Sequence, residues 1–161
     1  MVDDEVMHPT PSWPLGGSPK APYIEGHDGT VREGRSVVAG GDWDVPVQDR
    51  ELSFIRVDHQ TRLQFGATEV VIECPFRLQH GGKEHEIDPE QRDMLGPVLD
   101  LYPGALRSAT VTADCALTLE LVSGSSISIP PHPSYEAWQI KGPGERLIVC
   151  APGGASLSVW E

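Results

Sequence analysis

Lysine and arginine are scarce in this 161-residue chain: 12 of them stand against 24 aspartates and glutamates, a formal net charge of −12. Nucleic-acid binding needs clustered cations that displace counterions from phosphate, and anionic lipid needs a basic patch, so both kinds of partner are disfavoured. Long apolar runs are missing as well. Nothing approaches the roughly 18 uninterrupted apolar residues of a membrane span, and Met1-Val-Asp-Asp-Glu-Val6 is acidic where a secretory leader is basic. These features predict a cytoplasmic protein. Cysteine is rare and odd in number; Cys74, Cys115 and Cys150 sit among Val, Leu and Ile and read as small buried thiols rather than a disulfide framework.

Motifs that carry chemistry are equally hard to find. There is no Gly-x-Ser-x-Gly elbow for a nucleophilic serine, and Gly142-Pro-Gly144 and Gly153-Gly154 lack the lysine and following helix of a phosphate-binding loop. These glycines read as turns. No cofactor is expected.

What is present is an uneven distribution of charge and a strong strand pattern. Residues 1–102 carry a net charge of −10 and residues 103–161 only −2. Such an acidic front steers association toward a basic partner protein, or serves solubility alone. Residues 1–50 are rich in proline, glycine and acids, with no sustained helical or strand period, and read as an extended arm in which Arg35–Ala39 forms at most one short strand. Trp13 and Trp43 stand out in that arm, because aromatic side chains gain most by docking in a groove, on the domain or on a neighbouring subunit.

From residue 51 to 161 the pattern is that of a single β-rich domain. Leu52 and Phe54 share one face of a first strand, and His59-Gln60 turns into Arg62–Phe65; Thr68–Cys74 is β-branched, and Phe76–Gln79 continues past Pro75, which implies an edge or a bulge. Asp88-Pro-Glu90 opens one helix, and its apolar stripe of Met94, Leu95, Val98, Leu99 and Leu101 is interrupted by Gly96-Pro97, so the helix should be short, kinked or broken. Further strands follow, with hairpin turns at Asp114-Cys115 and Ser123-Gly124. Leu117, Leu119 and Leu121 on one strand answer Ile127 and Ile129 on the next. Three runs divided by Gly142-Pro-Gly144 and Pro152-Gly-Gly154 close the chain as an antiparallel meander. The expected fold is mainly β (α+β): a curved antiparallel sheet or half barrel of about eight strands, with one short helix packed on it.

Three groups of residues are candidates for function. His80, His85 and Asp88, with Glu84 and Glu86, surround a Gly-Gly turn and are proper ligand types for zinc. Strand alternation, however, places Glu84 and Glu86 on one face and His85 on the other, so no metal is expected there. Asp58-His59 pairs a carboxylate with an imidazole, as an oriented general base requires, yet adjacent strand residues diverge and His59 reads as a turn residue. Tyr135, Glu136 and Trp138 follow the extended Pro130-Pro-His-Pro133 approach; their composition suits a recognition surface, while the alternative is that both rings pack the core under the helix, joined by Trp160.

The segments Val57-Asp-His-Gln-Thr-Arg-Leu-Gln-Phe65, Ile72-Glu-Cys-Pro-Phe76, Asp88-Pro-Glu90, Tyr135-Glu-Ala-Trp138, Gly142-Pro-Gly144, Pro152-Gly-Gly154 and Val159-Trp160 occur in an order that resembles a family of small actinobacterial proteins known only as a domain of unknown function. The likeness covers residues 50–161 and leaves the arm outside. Members usually carry glycine where this chain has Asp114-Cys115. The resemblance implies a compact β-rich domain and brings no activity or cofactor. The reading that fits is a non-enzymatic protein-binding domain, an immunity-type or accessory protein, whose partner surface includes Trp13, Trp43, Tyr135, Glu136 and Trp138. Its partner would be another protein or further copies of itself. The alternatives are a small metal-dependent or hydrolytic enzyme and a structural subunit of a larger assembly.

Overall fold

The computed structural model describes residues 23–25, 31–37 and 41–161; Trp13 lies outside them. The strands are β1 Tyr23–Glu25, β2 Val31–Glu33, β3 Arg35–Val37, β4 Trp43–Asp44, β5 Leu52–Val57, β6 Thr61–Phe65, β7 Thr68–Ile72, β8 Phe76–His80 and β9 Lys83–Ile87. After the helix α1 Gly96–Leu99 come β10 Leu106–Val111, β11 Leu117–Leu121, β12 Ser126–Ile129, β13 Trp138–Lys141, β14 Leu147–Cys150 and β15 Leu157–Trp160. Among the described residues they form a six-stranded sheet in the order β4-β10-β11-β12-β8-β9, a seven-stranded sheet in the order β3-β15-β14-β13-β7-β6-β5, and the separate pair β1-β2. Every pairing is antiparallel.

The β-rich class is as expected, but the single curved sheet or half barrel of about eight strands is not. Apart from the β1-β2 pair, the strands among the described residues form two sheets, and these do not close into a barrel. The reason lies at two corners. Pro75 follows β7 and precedes β8, which belongs to the other sheet, and residues 130–137 carry the chain back from β12 to β13. Proline cannot donate to a ladder, so here it marks a change of sheet rather than an edge or bulge within one strand. Along one side the segment between β4 and β5 joins the two sheets: Val45 N–H donates to Ala109 O (2.8 Å), Leu106 N–H to Arg50 O (2.7 Å) and Leu52 N–H to Gly104 O (2.8 Å). The segment first read as an arm thus contributes β3 to one sheet and β4 to the other.

One apolar core lies between the sheets and draws on both. From the six-stranded sheet, Leu78 faces Ile127 and Ile127 faces Leu119, while Leu117 faces Ile129. The other sheet supplies Leu63, Val70, Ile140 and Ile148, each opposite the next. The closing meander forms as anticipated, β13, β14 and β15 being neighbours in order. β5 departs from its simple alternation. Leu52 pairs with Phe65 but Phe54 with Gln64, so Ser53 is an extra residue. The bulge turns Phe54 outward, 49 % exposed, while Leu52 stays buried.

The helix is broken, as its sequence requires, but not where the proline rule suggests. Asp88 Oδ1 accepts Glu90 N–H (3.0 Å) and Oδ2 accepts Gln91 Nε2 (3.1 Å), closing a turn rather than capping a helix. A 3₁₀ turn at Arg92–Met94 follows, then α1, which begins with Gly96-Pro97 instead of being interrupted by them. Val98 is buried in α1, Leu95 and Leu101 are buried beside it, and the helix lies against β8. The β10–β11 hairpin turns through Cys115 at φ 63°, the left-handed conformation usually given to glycine.

Candidate functional site

Tyr135 and Trp138 lie three residues apart where the chain returns to the seven-stranded sheet, and the two rings part company. Trp138, the first residue of β13, points inward and is fully buried; its Nε1 donates to Cys115 O (3.0 Å). It therefore belongs to the core and not to a partner surface. Tyr135 precedes the strand, is 40 % exposed, and stacks on His132 with ring centroids 3.6 Å apart and planes 18° from parallel. His132 is held in turn, its Nδ1 accepting Ser134 N–H (3.1 Å). Of the two rings, Trp138 alone packs the core.

Around Tyr135 three separate pieces of chain bring carboxylates. Glu73, from the first corner, donates its N–H to Ala137 O (2.9 Å) and accepts Gln139 Nε2 (2.9 Å), which fixes it beside the return segment. Burial, then Cys74 and the negative charges of Glu90, Asp88 and Glu73, push the Tyr135 hydroxyl up. Burial and then Glu73 likewise raise the Glu136 carboxyl above the usual carboxylate range. Among the described residues no ion pair engages Glu73, Asp88, Glu90 or Glu136. A groove of about 260 Å³, lined by Pro75, Arg77, Glu86, Ser128 and Pro130, opens at the same two corners. No local pattern announces that His132 stacks on Tyr135 or that the charges of Glu73 and Glu90 reach it; the two proline-marked corners are the one hint in the linear order.

The other candidates disperse. His80 Nδ1 hydrogen-bonds Ser125 Oγ (2.8 Å), His85 lies opposite Leu78, Asp88 accepts two hydrogen bonds within its own turn, and Glu84 accepts Gln79 Nε2 (2.7 Å). Glu84 and Glu86 do oppose the outward-facing Gln79 and Arg77, away from His85. Among the described residues no three His, Cys, Asp or Glu side chains are placed to hold a metal ion. Asp58 closes the β5–β6 turn by accepting Gln60 N–H (2.8 Å), and that bond, ahead of the charges of His59, Arg62 and Arg56, holds its carboxyl below the usual range. His59 Nδ1 is 3.7 Å from Asp58 Oδ1 on a side chain 78 % exposed, as a turn residue should be. Trp43 is half-buried against the core and pairs with Val111. The three thiols are buried and unbridged. Burial pushes Cys74 up to about 11 and Cys150 up to about 12.

Among the described residues no helix is long and apolar enough to cross a membrane. No curated protein and no solved structure matches the chain. A family does match, and its limits coincide with the architecture: it begins at β4 and ends with β15, taking in every strand of both sheets except β3. Over residues 43–161 the chain belongs to the family of unknown function DUF6188.

Proposed function

We propose that this is a non-enzymatic binding domain, of immunity or accessory type, that recognises a basic segment of a partner protein at the Tyr135 corner. The observation that carries the reading is a half-exposed tyrosine ring, fixed by stacking on His132, next in the chain to Glu136 and within the electrostatic reach of Glu73, Asp88 and Glu90, none of which has a cation of its own among the described residues. A lysine or arginine laid on that ring gains about 0.5–2 kcal/mol from the cation–π contact, and the carboxylates hold its charge. The net charge of −12 speeds encounter with a basic partner and makes it salt-sensitive. Three unbridged thiols fit a reducing, cytoplasmic setting.

The test is a titration of isotope-labelled protein with an arginine-rich peptide and with its serine counterpart, at low and high salt. Saturable shifts at Tyr135 and Glu136, given by the arginine peptide alone, weakened by salt and abolished in Tyr135→Ala, support the proposal. Equal shifts with the serine peptide, or an unaltered response in Tyr135→Ala, reject it.

A further inference from the structure

Arg50, in the segment that joins the two sheets, and Arg107, on β10, stand close together in a chain where acids outnumber bases two to one. Arg50 and Arg107 are both exposed and, among the described residues, neither has a carboxylate partner. Both line a hollow of about 210 Å³, far more than the roughly 10–15 Å³ that one water requires.

Backbone geometry builds the hollow. The segment after β4 pairs with β10 at Val45–Ala109 and again at Arg50–Leu106, but four residues lie between Val45 and Arg50 and only two between Leu106 and Ala109. The surplus loops outward. On its other side β10 is shifted in register against β11 between Leu106 and Ser108, which makes Arg107 the extra residue of a bulge at the edge of the hollow. Buried Val45, Val47, Leu106 and Ala109 form an apolar floor. At the rim one Nη of Arg50 donates to the carbonyl of Arg107, which orients the guanidinium and leaves its other N–H groups free. Asp44 also lies on the rim, turned to accept Thr110 Oγ1 (3.0 Å), and Ser108 Oγ donates to Glu120 Oε2 (3.3 Å).

An apolar floor under two guanidiniums that form no ion pair, the one acid on the rim being turned to Thr110, suits a ligand with an aliphatic body and one planar anionic head, because the guanidinium fork matches a carboxylate. We infer that this hollow binds a small aliphatic monocarboxylate, its carboxylate held by Arg50 and Arg107 and its hydrocarbon on Val45, Val47 and Ala109. The site is separate from the Tyr135 corner, and of opposite charge preference.

The probe is 3-methylbutanoate, titrated into isotope-labelled full-length protein and followed at the backbone amides. Controls are 3-methylbutanol, inorganic phosphate, and a valine-ended peptide with a free or an amidated terminus. Saturable shifts of Arg107, Ser108 and Ala109 with the acid, not matched by the alcohol or phosphate, are expected. Arg50→Gln and Arg107→Gln should each weaken binding by about tenfold or more. Arg107→Gln alters only an exposed side chain, so it decides the matter even if Arg50→Gln disturbs folding. An equal response to the alcohol or to phosphate, or an unchanged affinity in Arg107→Gln, overturns the inference. Tighter binding of the free-ended peptide than of the acid transfers the site to peptide C-termini and overturns the small-molecule assignment.

Discussion

Trp138 Nε1, on β13 of the seven-stranded sheet, donates to Cys115 O, 3.0 Å away in a hairpin of the six-stranded sheet. The bond spans the core. Trp138→Phe leaves that buried carbonyl without its donor and opens a cavity, so it should lower stability by about 2–4 kcal/mol. Urea denaturation measures this. A loss below about 0.5 kcal/mol would show that the cross-sheet bond contributes nothing.

Gly34 lies directly on the indole of Trp160: a Cβ added there would stand 2.3 Å from Cε2. Trp160 is buried outside the main core, on the face of β15 opposite Leu157 and Val159, and β3 is fastened to β15 beside it. Gly34→Leu should therefore lift β3 from the sheet, red-shift tryptophan emission and speed amide exchange at Ser158. Gly41→Ala is the control, since nothing lies within 4 Å of its added Cβ. Identical spectra for both variants would contradict the packing.

Two turn glycines with nearly equal φ separate backbone strain from contact. Gly144 at φ 68° faces open space, whereas a Cβ on Gly154 at φ 67° would come 2.7 Å from Pro131 and 3.0 Å from Asp114 O. Gly144→Ala should cost about 1 kcal/mol, the left-handed penalty alone. Gly154→Ala should cost clearly more, because the return segment must also move. Thermal unfolding of the two variants, compared directly, gives the difference.

Raised thiol pKa values make a prediction with a definite sign. Cys74 and Cys150 lose their protons near 11 and 12 in the folded chain against 9.0 for an ordinary thiol. Their contribution to stability is thus complete below pH 9 and fades as the pH climbs toward 11 and 12. Native protein near neutral pH should resist a thiol-directed reagent until denatured. Fast labelling of Cys74 or Cys150 in the folded state would refute their burial.

Parts of this fold could be read from one strand at a time. Leu117, Leu119, Ile127 and Ile129 announce a half-buried hairpin by their spacing, and the meander of β13 to β15 is punctuated by its own glycines. Phe54 shows where such reading stops. Its outward turn follows from a bulge at Ser53, and a bulge is a relation between two strands that no period in one of them records. Pro75 shows the same limit, since a proline reports a lost donor but not which sheet the chain enters next.

The local chemistry of the chain was enough to settle the β-rich class, the fate of three cysteines as buried thiols, and a helix that is short and broken. Alternation and turn preference act within a few residues, so they survive in the linear order. Which strands share a sheet, why Tyr135 is exposed while Trp138 is buried, and how the charges of Glu73, Asp88 and Glu90 come to act on Tyr135 depended on how distant segments meet at the two corners. Those are settled by packing between distant segments, and only the folded chain contains them.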